Sequence, residues 1–414
     1  MHRRWGWLEN GKSIVPIASV EMWRFVCRCG SSLMPICLKT SLTGMTSALN
    51  HDLCRLHSFG RRISSALSWV ALASSTIGLF GAEQAPLVNR LTPLAFKIAY
   101  ESYQVDNWEI LVSNPDGSNP INLTRSKEHE HYPQVSPDGT RICFTVDTGE
   151  GRETVRSLWV MNSDGANRKK LVDNAREPFW APDNNAIGFL PQEFSKFNVI
   201  DYSTKGMSFY HLDEGKIEPH PNSSSLHHLY NPSYAPNGKW IVATVHAGMG
   251  VDHAILLIEA RGKRIINLKI PGCRPCISPD GKQLAWGPSD HELTTAPIDL
   301  DAETPAVGER FVSVLDKTNH IYHIDWSPDS RYLSLSRGPV GKGDLSKPGT
   351  FQSACEIVGV YAGGWDILAV SAERRGILDL NAATLSDYSM VTTNGLSNKE
   401  SAWFKPAARG KLKP

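Results

Sequence analysis

One short phrase recurs along this chain from residue 132 to residue 406, and it limits the fold more than any other feature. It reads Pro, aromatic or aliphatic, Ser or Ala, Pro, Asp or Asn, then Gly or a small polar residue. Full copies are Tyr132-Pro-Gln-Val-Ser-Pro-Asp-Gly139, Glu177-Pro-Phe-Trp-Ala-Pro-Asp-Asn184, Asn231-Pro-Ser-Tyr-Ala-Pro-Asn-Gly238 and Arg274-Pro-Cys-Ile-Ser-Pro-Asp-Gly281. His323-Ile-Asp-Trp-Ser-Pro-Asp-Ser330 is a fifth, and Ser401-Ala-Trp-Phe-Lys-Pro406 is a truncated sixth. The shared Pro falls at 137, 182, 236, 279, 328 and 406, which gives spacings of 45, 54, 43, 49 and 78. The first four match the length of a four-stranded propeller blade.

Each part of the phrase has a mechanical reason. Asp-Gly or Asn-Gly between two apolar runs is a strong hairpin signal, because both residues tolerate positive φ. The Pro ahead of it ends strand pairing and presets the turn. The aromatic two positions before that Pro (Trp180, Tyr234, Trp326, Phe404) is placed to fill the gap between blades. Asn114-Pro-Asp-Gly-Ser-Asn119 and Asn162-Ser-Asp-Gly-Ala-Asn167 supply a second hairpin in the first two units. Two hairpins per repeat make four strands. The first unit, from Phe96 to Leu123, has three strands with no phrase ahead of it, and the last phrase has an inner strand with nothing behind it. Pairing the C-terminal strand with the first unit completes the count and leaves no open sheet edge. The fold predicted is therefore all-β: a six-bladed β-propeller of four-stranded blades over 95–406, with an insertion at 338–364 and a tail at 407–414.

Of the 414 residues, 41% are hydrophobic and 21% charged, enough for packed cores. A formal net charge of +1 gives no electrostatic footprint for nucleic acid, and a monomer is expected. The first ninety residues read differently. Arg61 and Arg62 precede an uncharged run from Ile63 to Phe80, then Gly81 and Ala82, the layout of a secretory signal. The run also approaches a membrane span in length, so residues 45–82 are read as a signal peptide or an N-terminal anchor. Met45 lies just upstream, and residues 1–44 are read as a start assigned too early or a disordered extension. Residues 83–94 are read as a linker.

Cys143, Cys273, Cys276 and Cys355 follow the leader, too few for a disulfide framework. Cys273 and Cys276 fall on a predicted strand, where residues three apart stand about 10 Å from one another, beyond disulfide reach.

The Pro-x-Trp-Ser-Pro-Asp-Gly pattern, with Asn114 to Thr124 after the strand, resembles the propeller repeat of TolB-like proteins. The same repeat occurs in propellers of prolyl-oligopeptidase and dipeptidyl-peptidase relatives, but a Gly-x-Ser-x-Gly hydrolase region does not follow here. The likeness implies an exported protein of the bacterial periplasm or cell envelope, acting as a binding module. It is far less specific for function than for repeat type.

In such repeats the residues opening the inner strand face the mouth of a central channel. Counting five positions back from the shared Pro gives Tyr132, Glu177, Asn231, Arg274, His323 and Ser401; one position earlier stand His131, Arg176, Tyr230, Cys273, Tyr322 and Glu400. The binding set expected is His131, Tyr132, Glu177, Tyr230, Asn231, Arg274, His323 and Glu400, facing a protein segment or small ligand. No catalytic residue is assigned and no cofactor is required by this reading. The alternative is a metal-dependent carbohydrate-active enzyme similar to oligogalacturonate lyases, with His131, His228 and His323 holding a divalent transition metal.

Overall fold

The computed structural model describes residues 85–104, 106–149, 153–193, 203–339 and 364–407. The readings made for residues 1–82, for the insertion from 340 to 363, for Cys355 and for the tail beyond 407 lie outside the described residues.

Blade 1 contains β1 (Lys97–Tyr103), β2 (Trp108–Ser113) and β3 (Ile121–Asn122). Blade 2 contains β4 (His129–Val135), β5 (Arg141–Thr148), β6 (Val155–Asn162) and β7 (Lys169–Asp173). Blade 3 runs β8 (Ala175–Trp180), β9 (Ala186–Pro191), β10 (Ser208–His211) and β11 (Lys216–Pro219). Blade 4 runs β12 (Leu229–Tyr234), β13 (Trp240–Gly248), β14 (Val251–Glu259) and β15 (Ile265–Asn267). Blade 5 holds β16 (Cys273–Ile277), β17 (Gln283–Gly287), β18 (Glu292–Pro297) and β19 (Phe311–Leu315). Blade 6 holds β20 (Asn319–Trp326), β21 (Tyr332–Pro339) and β22 (Asp366–Ser371). Between its third and fourth strands, β23 (Leu378–Asp379) crosses to pair in parallel with β19, and β24 (Tyr388–Met390) then completes the blade. The last strand, β25 (Ser397–Phe404), returns to blade 1 as its inner strand.

This return is the closure that the repeat count implied. β25 pairs antiparallel with β1, from Lys97 opposite Phe404 to Tyr103 opposite Ser397. The sheet order β25-β1-β2-β3 gives blade 1 the inner-to-outer pattern of the others. All six sheets have four blade strands in antiparallel order.

Burial follows from the stacking of sheets on sheets. Middle strands are covered on both faces, so β2 is buried along its whole length, whereas the outer β11 is exposed at every residue. The apolar side chains sort into six cores, one per seam. Phe179, Leu190, Ile241 and Leu256 fill the seam between blades 3 and 4. Ala99, Ile110, Ile142 and Phe144 fill the one between blades 1 and 2. The phrase aromatics behave as expected where they close a seam: the Trp180 indole N–H donates to Gln134 O at 2.8 Å, and that of Trp326 to Cys276 O at 3.1 Å.

Two sequence expectations need correction. The stretch read as a linker contains helix α1 (Leu87–Leu91), whose Leu87 and Leu91 are buried at the closing seam with Tyr332, Ile367 and Trp403. The truncated sixth phrase is also one residue out of register. The aromatic equivalent to Trp326 is Trp403, not Phe404: Trp326 pairs with Leu333, and Trp403 pairs with Ile98. Lys405 therefore stands where the other repeats place Pro. A Cβ on Gly139 would lie 1.9 Å from the Lys405 carbonyl, a backbone approach that leaves room only for glycine.

Candidate functional site

Each inner strand is interrupted at the same point. The ladder to its neighbour slips between His131 and Gln134, Arg176 and Phe179, Tyr230 and Ser233, Cys273 and Cys276, and Tyr322 and Asp325. In blade 1 the shift falls opposite, between Ala99 and Glu101. Four of these bulges contain a Pro (133, 178, 232 and 275), which has no N–H to give to the ladder. Blades 6 and 1 keep the bulge with Ile324 and Ser401, so the proline is not its cause.

At every bulge one non-glycine residue adopts a left-handed backbone: Tyr132 (φ 54), Glu177 (49), Asn231 (46), Arg274 (55), His323 (52) and Glu400 (51). Such a conformation costs an L-residue roughly 1–2 kcal/mol. All six line one central cavity of about 80 Å³, together with Pro232, Pro275, Cys276 and Asp325. Strain repeated at one level of a channel marks the level where side chains are aimed.

Six of the eight residues predicted for binding therefore share this ring. His131 and Tyr230 do not, because they precede the bulge and are buried beside the channel. Counting back from Pro406 pointed to Ser401 for the sixth member; the one-residue register shift puts Glu400 there.

The ring carries both signs of charge. His323 Nε2 lies 2.8 Å from Glu400 Oε1 across the seam of blades 6 and 1. The Arg274 guanidinium sits 4.0 Å from the centre of the Tyr322 ring, and its Nη1 lies 3.1 Å from Cys273 Sγ. Glu177 Oε2 accepts the Asn231 N–H at 3.3 Å, linking blades 3 and 4. Behind Tyr132, Glu101 accepts the Tyr132 N–H at 3.0 Å and lies 3.4 Å from His131 Nδ1. Burial alone would raise the Glu101 carboxyl; His131, Lys399 and the Tyr132 N–H outweigh it and hold the group below the usual carboxylate range.

Below the ring, Gln134, Ser233, Cys276 and Asp325 border both this cavity and the next and form the neck between them. The Cys276 thiol donates to Asp325 Oδ1 at 3.4 Å, and the Trp403 N–H to Oδ2 at 2.8 Å. Burial pushes the Asp325 acid up to about 6, although both donors favour its ionised form. Burial likewise raises the Cys276 thiol well above its ordinary value, which disfavours the thiolate. Beyond the neck opens a funnel of about 420 Å³, lined by Trp180, Tyr234, Trp326, Trp403 and the ring of phrase prolines. Nothing in the mouth-based reading pointed to this second opening, though the Pro-aromatic spacing carried the signal.

The three histidines named as metal ligands are not gathered. His131 faces Glu101, His228 Nε2 lies 2.7 Å from Glu193 Oε2, and His323 faces Glu400. Among the described residues no group of three or more His, Cys, Asp or Glu is arranged to hold a metal. Cys143, Cys273 and Cys276 are free thiols, in accord with the strand-spacing argument.

Six antiparallel four-stranded blades about a polar channel define a six-bladed β-propeller. Its fold is similar to that of solved propellers: TolB from Acinetobacter baumannii superposes with a TM-score of 0.53 at 14% identity, over 81% of this chain and 71% of that one. Looser likenesses include a nidogen/laminin complex (0.49, 9% identity, 75% of this chain and 99% of that). Another is oligogalacturonate lyase in complex with manganese (0.37, 11% identity, 58% and 82%). At these identities the likeness concerns the fold alone. No protein-family profile and no curated protein matches the sequence. No helix among the described residues is long and apolar enough to cross a membrane.

Proposed function

We propose that this protein is an exported binding propeller that receives an extended segment of a partner protein at its channel mouth. The observation that carries this reading is the ring of six left-handed, non-glycine residues around one cavity. A structure that needed only the bulge would be better served by glycine, which adopts that backbone without strain.

The size of the cavity favours an extended segment over a compact ligand. About 80 Å³ is well under the few hundred Å³ of a typical small-molecule pocket. It admits one side chain at a time. Glu177 of blade 3 and Arg274 of blade 5 offer opposite charges across blade 4, suited to a segment bearing both signs. The carbohydrate-lyase alternative asks for a metal shared by His131, His228 and His323, and each of these already faces a carboxylate of its own. Export rests on Arg61, Arg62 and the apolar run from Ile63 to Phe80.

The test is capture from envelope extracts by full-length protein, with crosslinking to locate the bound segment. Glu177→Ala and Arg274→Ala are each expected to weaken binding of the captured segment about tenfold, with the melting temperature within a few degrees of wild type. Undiminished binding in both variants would exclude the channel mouth. Recovery of the natural protein from the cytoplasmic fraction would exclude export.

A further inference from the structure

A second feature of the mouth side is independent of the ring. His291 sits in the turn between β17 and β18, and His320 near the start of β20, so blades 5 and 6 bring the two imidazoles together. Their ring centres are 5.2 Å apart at an interplanar angle of 68°. Two imidazoles sharing one tetrahedral ion through bonds of about 2.0–2.1 Å place their centres about 5 Å apart.

Hydrogen bonds prepare the His291 ring for this role, and a buried, unpartnered nitrogen does so for His320. His291 Nδ1 lies 2.9 Å from both Asp316 O and Asn319 O. Two carbonyls can only accept, so Nδ1 carries the proton and Nε2 keeps its lone pair, the arrangement that orients metal-bound histidines. His320 is 6% exposed, and its Nδ1 is buried with no hydrogen-bond partner. A buried ring nitrogen without a partner is destabilising unless something occupies it.

We propose that His291 and His320 form a two-imidazole site for a borderline transition-metal ion of the zinc(II) type, at the seam of blades 5 and 6. Asp290, next to His291 in the chain, is a negative charge felt at His320, and Arg274 is a positive one. No third His, Cys, Asp or Glu completes a ligand group among the described residues. Water fills the remaining positions, and the ion exchanges readily. His320 also packs on Tyr322, with ring centres 5.3 Å apart, and Tyr322 carries Arg274 of the ring. Loading of the site would thus be felt at the channel mouth.

The experiment is titration of untagged full-length protein with zinc(II) by calorimetry, and with cobalt(II) by absorption spectroscopy. One ion per chain is expected at this site, with a tetrahedral cobalt spectrum. His291→Asn retains a donor for the two carbonyls, and His320→Phe fills the same buried space without a lone pair. Each is expected to weaken binding at least tenfold while the circular dichroism spectrum and melting temperature stay near wild type. The His246 and His253 rings, 5.5 Å apart across β13 and β14, form the competing pair. Absence of binding to wild type, binding retained in both folded variants, or loss in His253→Ala instead would overturn the proposal.

Discussion

A left-handed backbone and a buried acid are the two residue-level costs concentrated in this channel. Asn231 bears the first, at φ 46, and its Oδ1 is buried without a partner. Asn231→Gly removes the strain and the orphaned oxygen together. A gain of about 0.5–1 kcal/mol in unfolding free energy is expected by urea denaturation, after allowance for the more flexible unfolded chain. Asp325 bears the second. Its folded-state pKa of about 6 lies above the ordinary 3.8, so the fold favours the protonated acid. That contribution is complete below about pH 4 and is lost as pH rises through about 6. The difference corresponds to about 3 kcal/mol at most. Asp325→Asn keeps an acceptor for the Trp403 N–H and cannot ionise. It is expected to be the more stable protein at neutral pH, with the advantage vanishing near pH 4. Equal stability of the two proteins across that range would show that the neck is hydrated.

At the scale of elements, the closing seam depends on pieces distant in sequence. Helix α1 lays Leu91, wholly buried, against residues of blades 6 and 1. Five residues cannot hold a helix in isolation. Docking on the seam is what forms it, helped by the Leu87 N–H donating to Ser386 O at 3.1 Å. Leu91→Ala is expected to cost about 2–4 kcal/mol, read as a lower denaturation midpoint with the channel ring unaltered. In blade 6, Trp365 is fully buried, stacked on Tyr322 at 5.5 Å, and covers Gly338. A Cβ there would lie 2.1 Å from the indole. Gly338→Ala is therefore expected to destabilise by about 1–3 kcal/mol and to shift the near-ultraviolet dichroism of the stacked pair.

The whole molecule is a ring of six similar seams, and its last closure joins residues about three hundred apart in the chain. Ser102 Oγ donates to Asn398 Oδ1 at 2.7 Å within that seam. Contacts of such separation form late and slowly. A chain ending at residue 396 would expose the β1 edge and lose the inner strand of blade 1. It is expected to unfold over a broad, probe-dependent transition instead of one cooperative step, and to aggregate through the open edge. A sharp single transition for the truncated chain would show that the other five blades hold their arrangement without closure.

Blade number, strand order and closure were legible in the sequence, because each blade is a local unit bounded by its own Pro, Asp and Gly turns. Tyr132, Glu177, Asn231, Arg274 and His323 were legible as a ring for the same reason: they occupy one position of one repeat. Glu400 stood in the expected binding set, but the count back from Pro406 gave the ring position to Ser401 because Lys405 replaces the reference Pro, a difference only the pairing of β25 with β1 resolves. α1 has no strong helical signal and exists through a surface contributed by blades 6 and 1. The Asp325 shift, the lower funnel and the His291–His320 pair were likewise decided in three dimensions. Turn chemistry acts over a few residues and can be read along the chain. Burial, channel width and the meeting of two imidazoles depend on how neighbouring blades pack, which no single repeat encodes.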